Sequence, residues 1–215
     1  MRHLLILIFV MSLFSCNEQK KIKVACVGDS ITFGSGLSDI KKDSYPAQLG
    51  KLLGNDWEVE NFGLSGATML KKGDLPYMES EEFDQAISFA PDVVIIKLGT
   101  NDAKNFNWQF SKYFVHDYKE MIHVFSKLES QPIIFICYPV PAYSNPFIDG
   151  HIIENEVLSK IDIIAKDTGV KIIPLFQELS NKPALFPDGI HPNKEGARLI
   201  AEYVKTFLLE NHKRN

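Results

Sequence analysis

The sequence VACVGDSITFG, residues 24–34, places a serine directly after a short apolar run. The run from Ile22 to Val27 is mostly apolar and favours a strand inside a sheet, which Gly28 ends. The nucleophile elbow of the α/β-hydrolases reads G-x-S-x-G, whereas this stretch reads G-D-S-x-T-x-G. If Ser30 is a nucleophile, its partners must therefore come from elsewhere in the chain.

Composition limits the possible classes of protein. The chain has 215 residues, of which 45% are hydrophobic, and this length suits one well-buried domain, which we predict over 22–212. The formal net charge is −4, and no stripe of lysine and arginine is present. A nucleic-acid partner is therefore not expected.

The N-terminus has the pattern of an export signal. Arg2 precedes the apolar run Leu4–Phe14, which is too short to span a bilayer, so we predict a signal peptide over 1–15. The sequence LFSC that ends at Cys16 resembles a bacterial lipobox, in which the cysteine is lipidated, and 16–21 would then be a tether. The alternative is an ordinary secretory signal cut nearby. Either interpretation predicts an exported protein, and the lipobox predicts a bacterial envelope protein bound to the membrane by its lipid alone.

Apolar runs of strand length alternate with amphipathic stretches along the rest of the chain. Strands are predicted at 22–27, 57–62, 92–98, 132–138 and 170–175, and helices near 44–53, 79–89, 110–129, 152–168 and 194–210. Nearly continuous apolar strands indicate a parallel sheet covered on both faces. We therefore predict a three-layer α/β/α sandwich, doubly wound with right-handed crossovers.

Two further cysteines fall inside predicted strands. Cys26 and Cys137 lie in strands that are not expected to be neighbours, so we predict two buried thiols rather than a disulfide.

In a doubly wound fold, ligands bind beyond the carboxyl ends of the strands, and four loops there carry compact polar motifs. The motifs are GDSITFG, NFGLSGAT, GTND and FPDGIHPN. Each alone is compatible with ordinary turn or cap chemistry. Together they supply the parts that acyl transfer from an ester requires.

A serine hydroxyl needs an imidazole to take its proton, and the imidazole needs a carboxylate to orient it. Ser30, His191 and Asp188 can fill these roles. The oxyanion of the tetrahedral intermediate needs preorganised donors, which the N–H groups of Ser30 and Gly66 and the amide of Asn101 can provide.

The four motifs stand in the order of the signature blocks of the SGNH/GDSL hydrolases, and in this respect the whole chain after the signal resembles that family. The resemblance implies a flavodoxin-like sandwich with strand order 2-1-3-4-5, hydrolysis through an acyl-serine, and neither metal nor cofactor. It assigns Ser30 as nucleophile, His191 as base and Asp188 as its orienting residue. In the second block Gly63 and Gly66 are both possible donors, and Gly66 is favoured.

Outside these motifs the assignments are structural or concern the substrate. We expect Asp29 and Asp102 to hold loops rather than react. Aromatic residues near the third and fourth loops suit stacking on a sugar ring and suit an acyl chain almost as well. The predicted substrate-binding residues are Phe106, Trp108, Tyr138 and Tyr143.

Three functions are consistent with these motifs. The leading hypothesis is a carbohydrate O-acetylesterase acting on an acetylated sugar or glycan. A lysophospholipase or general short-chain aryl or acyl esterase is the alternative, and an inactive glycan-binding lipoprotein is the third. The sequence does not indicate an oligomeric state.

Overall fold

The computed structural model describes residues 20–212 and has one parallel sheet with strand order β2-β1-β3-β4-β5, which confirms the predicted fold class. The strands are β1 (Ile22–Gly28), β2 (Trp57–Gly63), β3 (Val93–Lys97), β4 (Ile133–Cys137) and β5 (Lys171–Ile173). The fifth strand is shorter than the predicted 170–175, because Pro174 lacks an N–H for the ladder and a helix starts at Leu175.

Helices cover both faces of this sheet. They are α1 (Ser30–Phe33), α2 (Ile40–Asp43), α3 (Tyr45–Leu53), α4 (Glu81–Ser88), α5 (Asn105–Trp108), α6 (Phe114–Ser126), α7 (Gly150–Ile152), α8 (Leu158–Thr168), α9 (Leu175–Leu179) and α10 (Lys194–Asn211). A π-turn over Ile153–Val157 joins α7 to α8.

Two apolar cores lie on opposite faces of the sheet because strand side chains alternate. Val24 and Cys26 of β1 pack with buried residues of α3, α9 and α10. Ala25 and Val27 pack with buried residues of α4, α6 and α8. This is the predicted three-layer arrangement.

The helix predicted at 110–129 is shorter in the structure, where α6 spans Phe114–Ser126. A 3₁₀ turn over Ser111–Tyr113 precedes α6, so Phe110 lies outside the helix and is only half-buried. Within α6, Phe114, Met121 and Phe125 are fully buried against the sheet. The predicted apolar face is therefore correct for the residues inside the helix.

Two glycines allow α1 to pack closely on the ends of the strands. A Cβ at Gly63 would lie 2.1 Å from the backbone nitrogen of Phe33. A Cβ at Gly28 would lie 2.1 Å from Oγ1 of Thr32 on α1 and 2.7 Å from the carbonyl oxygen of Lys97 on β3. Any larger residue at either position would displace α1, which carries Ser30.

Both described cysteines, Cys26 and Cys137, are free and buried, as predicted. The predicted signal peptide at 1–15 and the predicted lipidation site Cys16 lie outside the described residues. Within residues 20–212, no helix combines the length and the apolar character needed to cross a membrane.

Candidate active site

Ser30 lies at the tight turn that joins β1 to α1. The residue is 5% exposed, and α1 ends after one turn at Gly34, which has φ +101°. The carboxylate of Asp29 caps α1 by accepting the N–H of Ile31 at 3.0 Å. The cap and the early helix end hold Ser30 at the carboxyl edge of the sheet, partly open to solvent.

Three residues form a continuous hydrogen-bonded chain at this edge. Ser30 Oγ lies 2.9 Å from His191 Nε2, although the two residues are 161 positions apart. His191 Nδ1 lies 2.5 Å from Asp188 Oδ2. The structure therefore brings together the serine, imidazole and carboxylate that the sequence analysis selected, in the order that nucleophile activation requires.

The carboxylate of Asp188 is fixed by its own loop. Asp188 Oδ1 accepts the N–H of His191 at 2.7 Å and that of Ile190 at 2.9 Å. Partial desolvation raises the pKa of Asp188, but the hydrogen bonds from the His191 ring and from the two N–H groups outweigh it, so this pKa lies below its ordinary value. Asp188 thus stays ionised and can stabilise a protonated imidazole.

Tyr143 supports this loop, and its hydroxyl is not available to a substrate. Its N–H donates to the carbonyl of Gly189 at 2.7 Å, its ring packs on Phe186, and its hydroxyl donates to the carbonyl of Leu179. Gly189 has φ +84°, and a Cβ there would lie 1.8 Å from the Tyr143 carbonyl oxygen. Tyr143 therefore supports the loop that carries Asp188; it also lines a cavity beside that loop, and its contact with a substrate stays a prediction.

The predicted oxyanion donors come from three loops that bond to one another. Asn101 Nδ2 donates to the carbonyl of Ala67 at 3.0 Å, which leaves its second N–H for a ligand. In the described part of the chain, the N–H groups of Ser30 and Gly66 donate to no protein acceptor. The N–H of Gly63 donates to the Asn61 side chain at 2.9 Å. The structure therefore favours Gly66 over Gly63 as a donor.

Asp102 holds the loop that contains Gly66, as the sequence suggested. Its carboxylate is fully buried and accepts the N–H groups of Met69 at 3.0 Å and Leu70 at 2.7 Å. Burial raises the pKa of Asp102 to about 7, while these two N–H groups oppose the rise.

Asn107 is a second clamp, which the sequence analysis missed. It is 1% exposed, and its Nδ2 donates to the Asn101 carbonyl at 2.9 Å and to Asp74 Oδ1 at 2.8 Å. Asn107 Oδ1 accepts the N–H of Asp74 at 3.0 Å, and Lys104 Nζ donates to Asp74 Oδ2 at 2.9 Å. The sequence shows Asn107 as a short polar residue close to GTND, but its role depends on Asp74, which lies 33 positions earlier.

Two other residues that were predicted to contact substrate have partners within the protein. Trp108 is only 7% exposed, and its indole N–H donates to Glu156 at 2.8 Å, so it cannot stack on a sugar from solvent. Tyr138 donates its hydroxyl to Asp162 on α8. Phe106, by contrast, is 57% exposed next to the GTND loop and keeps the predicted position. Phe147 is 76% exposed and lies on the loop after β4.

A buried ion pair lies next to Ser30. Lys97 Nζ is 3.2 Å and 3.4 Å from the two carboxylate oxygens of Asp29, and neither side chain is exposed. No role for Lys97 was predicted, although a lysine at the end of the apolar stretch VVIIK was a visible signal.

A cavity of about 550 Å³ lies beside the loop that carries Asp188 and His191. It is lined by Asn105 of α5 and by residues of the loop after β4, among them Tyr143 and Phe147. Asn145 lines it and donates to the Asp188 carbonyl at 3.2 Å. A larger cavity of about 1070 Å³ is lined by the amino ends of β4 and β5, at the edge opposite Ser30. The smaller cavity adjoins the Asp188 loop through Asn145, although Ser30, Asp188 and His191 do not line it.

One group of side chains in the described residues could ligate a cation, whereas the sequence had suggested none. Possible ligand atoms of His116, Asp117 and Glu120 lie within 4.8 Å of one another. However, the ammonium of Lys71 contacts Glu120 at 2.9 Å, and the Lys71 N–H donates to Asp117 at 3.0 Å. Lys71 thus already supplies positive charge and a hydrogen bond to these carboxylates, and no metal function is assigned to them.

Comparison with known proteins identifies related sequences. The family model described as GDSL-like Lipase/Acylhydrolase family matches residues 26–199. The chain is 39% identical over 210 residues to an acetylxylan esterase of Xylanibacter ruminicola, covering 89% of this chain and 44% of that protein. It is 28% identical over 213 residues to an arylesterase of Vibrio mimicus, covering 96% of each. The chain therefore spans less than half of the acetylxylan esterase and nearly all of the arylesterase.

Solved structures show the same fold. A carbohydrate acetylesterase family member from Sinorhizobium meliloti superposes with a TM-score of 0.72 at 21% identity, covering 88% of this chain and 98% of that one. At this identity the likeness shows a shared fold and no more.

Proposed function

The chain belongs to the GDSL-like lipase/acylhydrolase family, and from that premise we propose that it is a carboxylic ester hydrolase that uses Ser30 as its nucleophile. The observation that carries the proposal is the chain of contacts at 2.9 Å and 2.5 Å from Ser30 through His191 to Asp188. An inactive glycan-binding protein would have no need for this connection.

The proposed first step is attack of Ser30 Oγ on the ester carbonyl. His191 Nε2 takes the hydroxyl proton, and Asp188 holds the Nδ1–H of the imidazole and stabilises its positive charge. The oxyanion is bound by the N–H groups of Ser30 and Gly66 and the free amide N–H of Asn101. The C–O bond to the alcohol then breaks, and the alcohol leaves with the proton from His191.

The second step returns the enzyme to its starting state. His191, now neutral, takes a proton from a water molecule, and the resulting hydroxide attacks the acyl-Ser30 carbonyl. The same donors bind the second oxyanion, and Ser30 recovers its proton as the acid leaves. The chemistry proposed here uses the side chains and backbone N–H groups of this chain together with water.

For the substrate, we propose a short acyl ester, chiefly acetyl, carried on a carbohydrate. A relative at 39% identity that is named an acetylxylan esterase supports this choice. Exposed Phe106 could stack on a sugar ring, and the 550 Å³ cavity with Asn105 and Asn145 could bind its hydroxyl groups.

A general aryl or short-chain acyl esterase is the second candidate. The relative matched over 96% of both chains is named an arylesterase, which is the observation that favours it. A lysophospholipase would require a site for a long acyl chain as well.

We also propose that the protein acts outside the cytoplasm, held to the bacterial envelope by lipid on Cys16. The support is the sequence alone, namely the apolar run Leu4–Phe14 and the LFSC motif.

A substrate panel tests the proposed function. Purified protein would be assayed with p-nitrophenyl esters from acetyl to decanoyl, acetylated xylan, and lysophosphatidylcholine, with Ser30→Ala as the matched inactive control. We expect a steep preference for acetyl and release of acetate from xylan. A preference for decanoyl or for the lysolipid would refute the substrate proposal, and equal turnover by Ser30→Ala would refute the mechanism.

A further inference from the structure

The ion pair between Asp29 and Lys97 lies directly beneath the nucleophile turn. Lys97 is the last residue of β3 and pairs in register with Gly28 of β1, one residue before Asp29. In residues 20–212, Lys97 is the one lysine that is buried, and its ammonium reaches both oxygens of Asp29, at 3.2 Å and 3.4 Å. The charge of Lys97 is therefore placed on the residue that precedes Ser30.

Stability alone does not explain this pair. Two charges removed fully from water lose their hydration, and an apolar pair of similar volume usually stabilises a core as well or better. The pair is therefore better explained by the geometry that it imposes than by a contribution to stability. The geometry in question is that of the Asp29–Ser30 peptide.

The carboxylate of Asp29 is held from two directions. Lys97 approaches it from β3, and the N–H of Ile31 donates to Oδ1 at 3.0 Å from α1. The carbonyl of Asp29 also accepts the N–H of Phe33 at 2.9 Å. With both ends of Asp29 fixed, the direction of the Ser30 N–H and the position of Ser30 Oγ toward His191 are fixed as well.

Lys97 also has an electrostatic effect on the reaction. A lone carboxylate at Asp29 would place negative charge one residue from the Ser30 N–H, where the oxyanion of the proposed reaction would form. In a buried site such a charge would raise the energy of that intermediate strongly. The ammonium of Lys97 cancels this charge.

We propose that Lys97 is a positioning residue for the nucleophile: by binding the buried Asp29 carboxylate it orients the Ser30 N–H and Oγ and neutralises the charge beside the oxyanion. The proposal rests on the esterase function proposed above, and it gives a reaction role to a residue that contacts no substrate.

The test compares two variants that both change the core. Lys97→Met with Asp29→Asn removes both charges, keeps similar volumes, and retains a side-chain oxygen to cap Ile31. Val93→Ala, on the same strand and buried against the same core, removes packing far from the site. We expect the double variant to lose about tenfold to a hundredfold in kcat with little change in KM, and Val93→Ala to keep its kcat.

A crystal structure of the double variant provides a readout independent of turnover. The proposal predicts that the 2.9 Å contact between Ser30 Oγ and His191 Nε2 is broken or that Ser30 changes rotamer. If this variant does not fold, Asp29→Asn alone, which breaks the ion pair but keeps a side-chain oxygen to cap Ile31, is expected to show the same displacement of Ser30 in a crystal structure.

The outcomes separate the two proposals. An unchanged kcat together with an unchanged Ser30–His191 contact would overturn the role of Lys97. Absence of ester turnover in the unaltered protein would overturn the proposed function instead, and the crystal structures would still decide whether Lys97 positions Ser30.

Discussion

Replacing Asp102 by asparagine should change how stability depends on pH. Burial raises the pKa of this carboxyl from 3.8 to about 7 in the folded protein. Because the unfolded chain gives up the proton first, the contribution of Asp102 to stability is full below pH 3.8 and is lost as the pH rises toward 7. Each unit of pKa difference corresponds to 1.36 kcal/mol, so the free energy of unfolding falls by about 4 kcal/mol over this range.

A side-chain amide does not titrate, so that part of the pH dependence should disappear in Asp102→Asn. The variant also loses one of the two bonds to the N–H groups of Met69 and Leu70, since an amide has a single oxygen. Relative to the unaltered protein, the stability of the variant should therefore rise as the pH increases from 3.5 to 8.

The assay is urea unfolding at several pH values between 3.5 and 8, with the free energy of unfolding extrapolated to water. Asp56→Asn, which changes a carboxylate on an exposed residue, is the matched control. The difference between the unaltered protein and Asp102→Asn should fall by several kcal/mol across the range, while the control shows little change. A constant difference at all pH values would refute the assigned shift.

Three further predictions concern the site. Asn101→Ala should lower kcat by about a hundredfold to a thousandfold, because it removes an oxyanion donor, and circular dichroism should show an unchanged fold; an unaltered kcat would contradict the assignment. Trp108→Phe should cost about 1–3 kcal/mol of stability, through the lost bond to Glu156, yet leave the KM for p-nitrophenyl acetate unchanged; a higher KM would restore Trp108 as a substrate contact. Phe106→Ala should raise the KM for acetylated xylan about threefold to tenfold, with thermal unfolding unchanged; an equal effect on p-nitrophenyl acetate would argue against sugar stacking.

The strands and the proximity of Ser30, Asp188 and His191 could be predicted because their signals are local. Each strand is a short apolar run, and parallel strands bring their carboxyl ends to one edge, so Ser30, Asp188 and His191 were expected to meet. Their meeting requires no knowledge of how individual side chains pack.

The roles of the aromatic residues could not be predicted from local signals. Whether Trp108 and Tyr143 face a substrate or the core depends on partners distant in sequence, such as Glu156 at 48 positions and Leu179 at 36. Lys97 is a further example. A charge within an apolar strand was a local signal, but its partner Asp29 lies 68 positions earlier in the sequence.

The most direct test of the central claim is to locate the acyl group during turnover. The protein would be mixed with p-nitrophenyl acetate, quenched in acid within the first turnovers, and digested for peptide mass spectrometry. The proposed mechanism predicts acetyl on Ser30 and none in Ser30→Ala, which should also lose turnover. Acetyl found only on another residue, or hydrolysis that persists in Ser30→Ala, would contradict the assignment of Ser30 as the nucleophile.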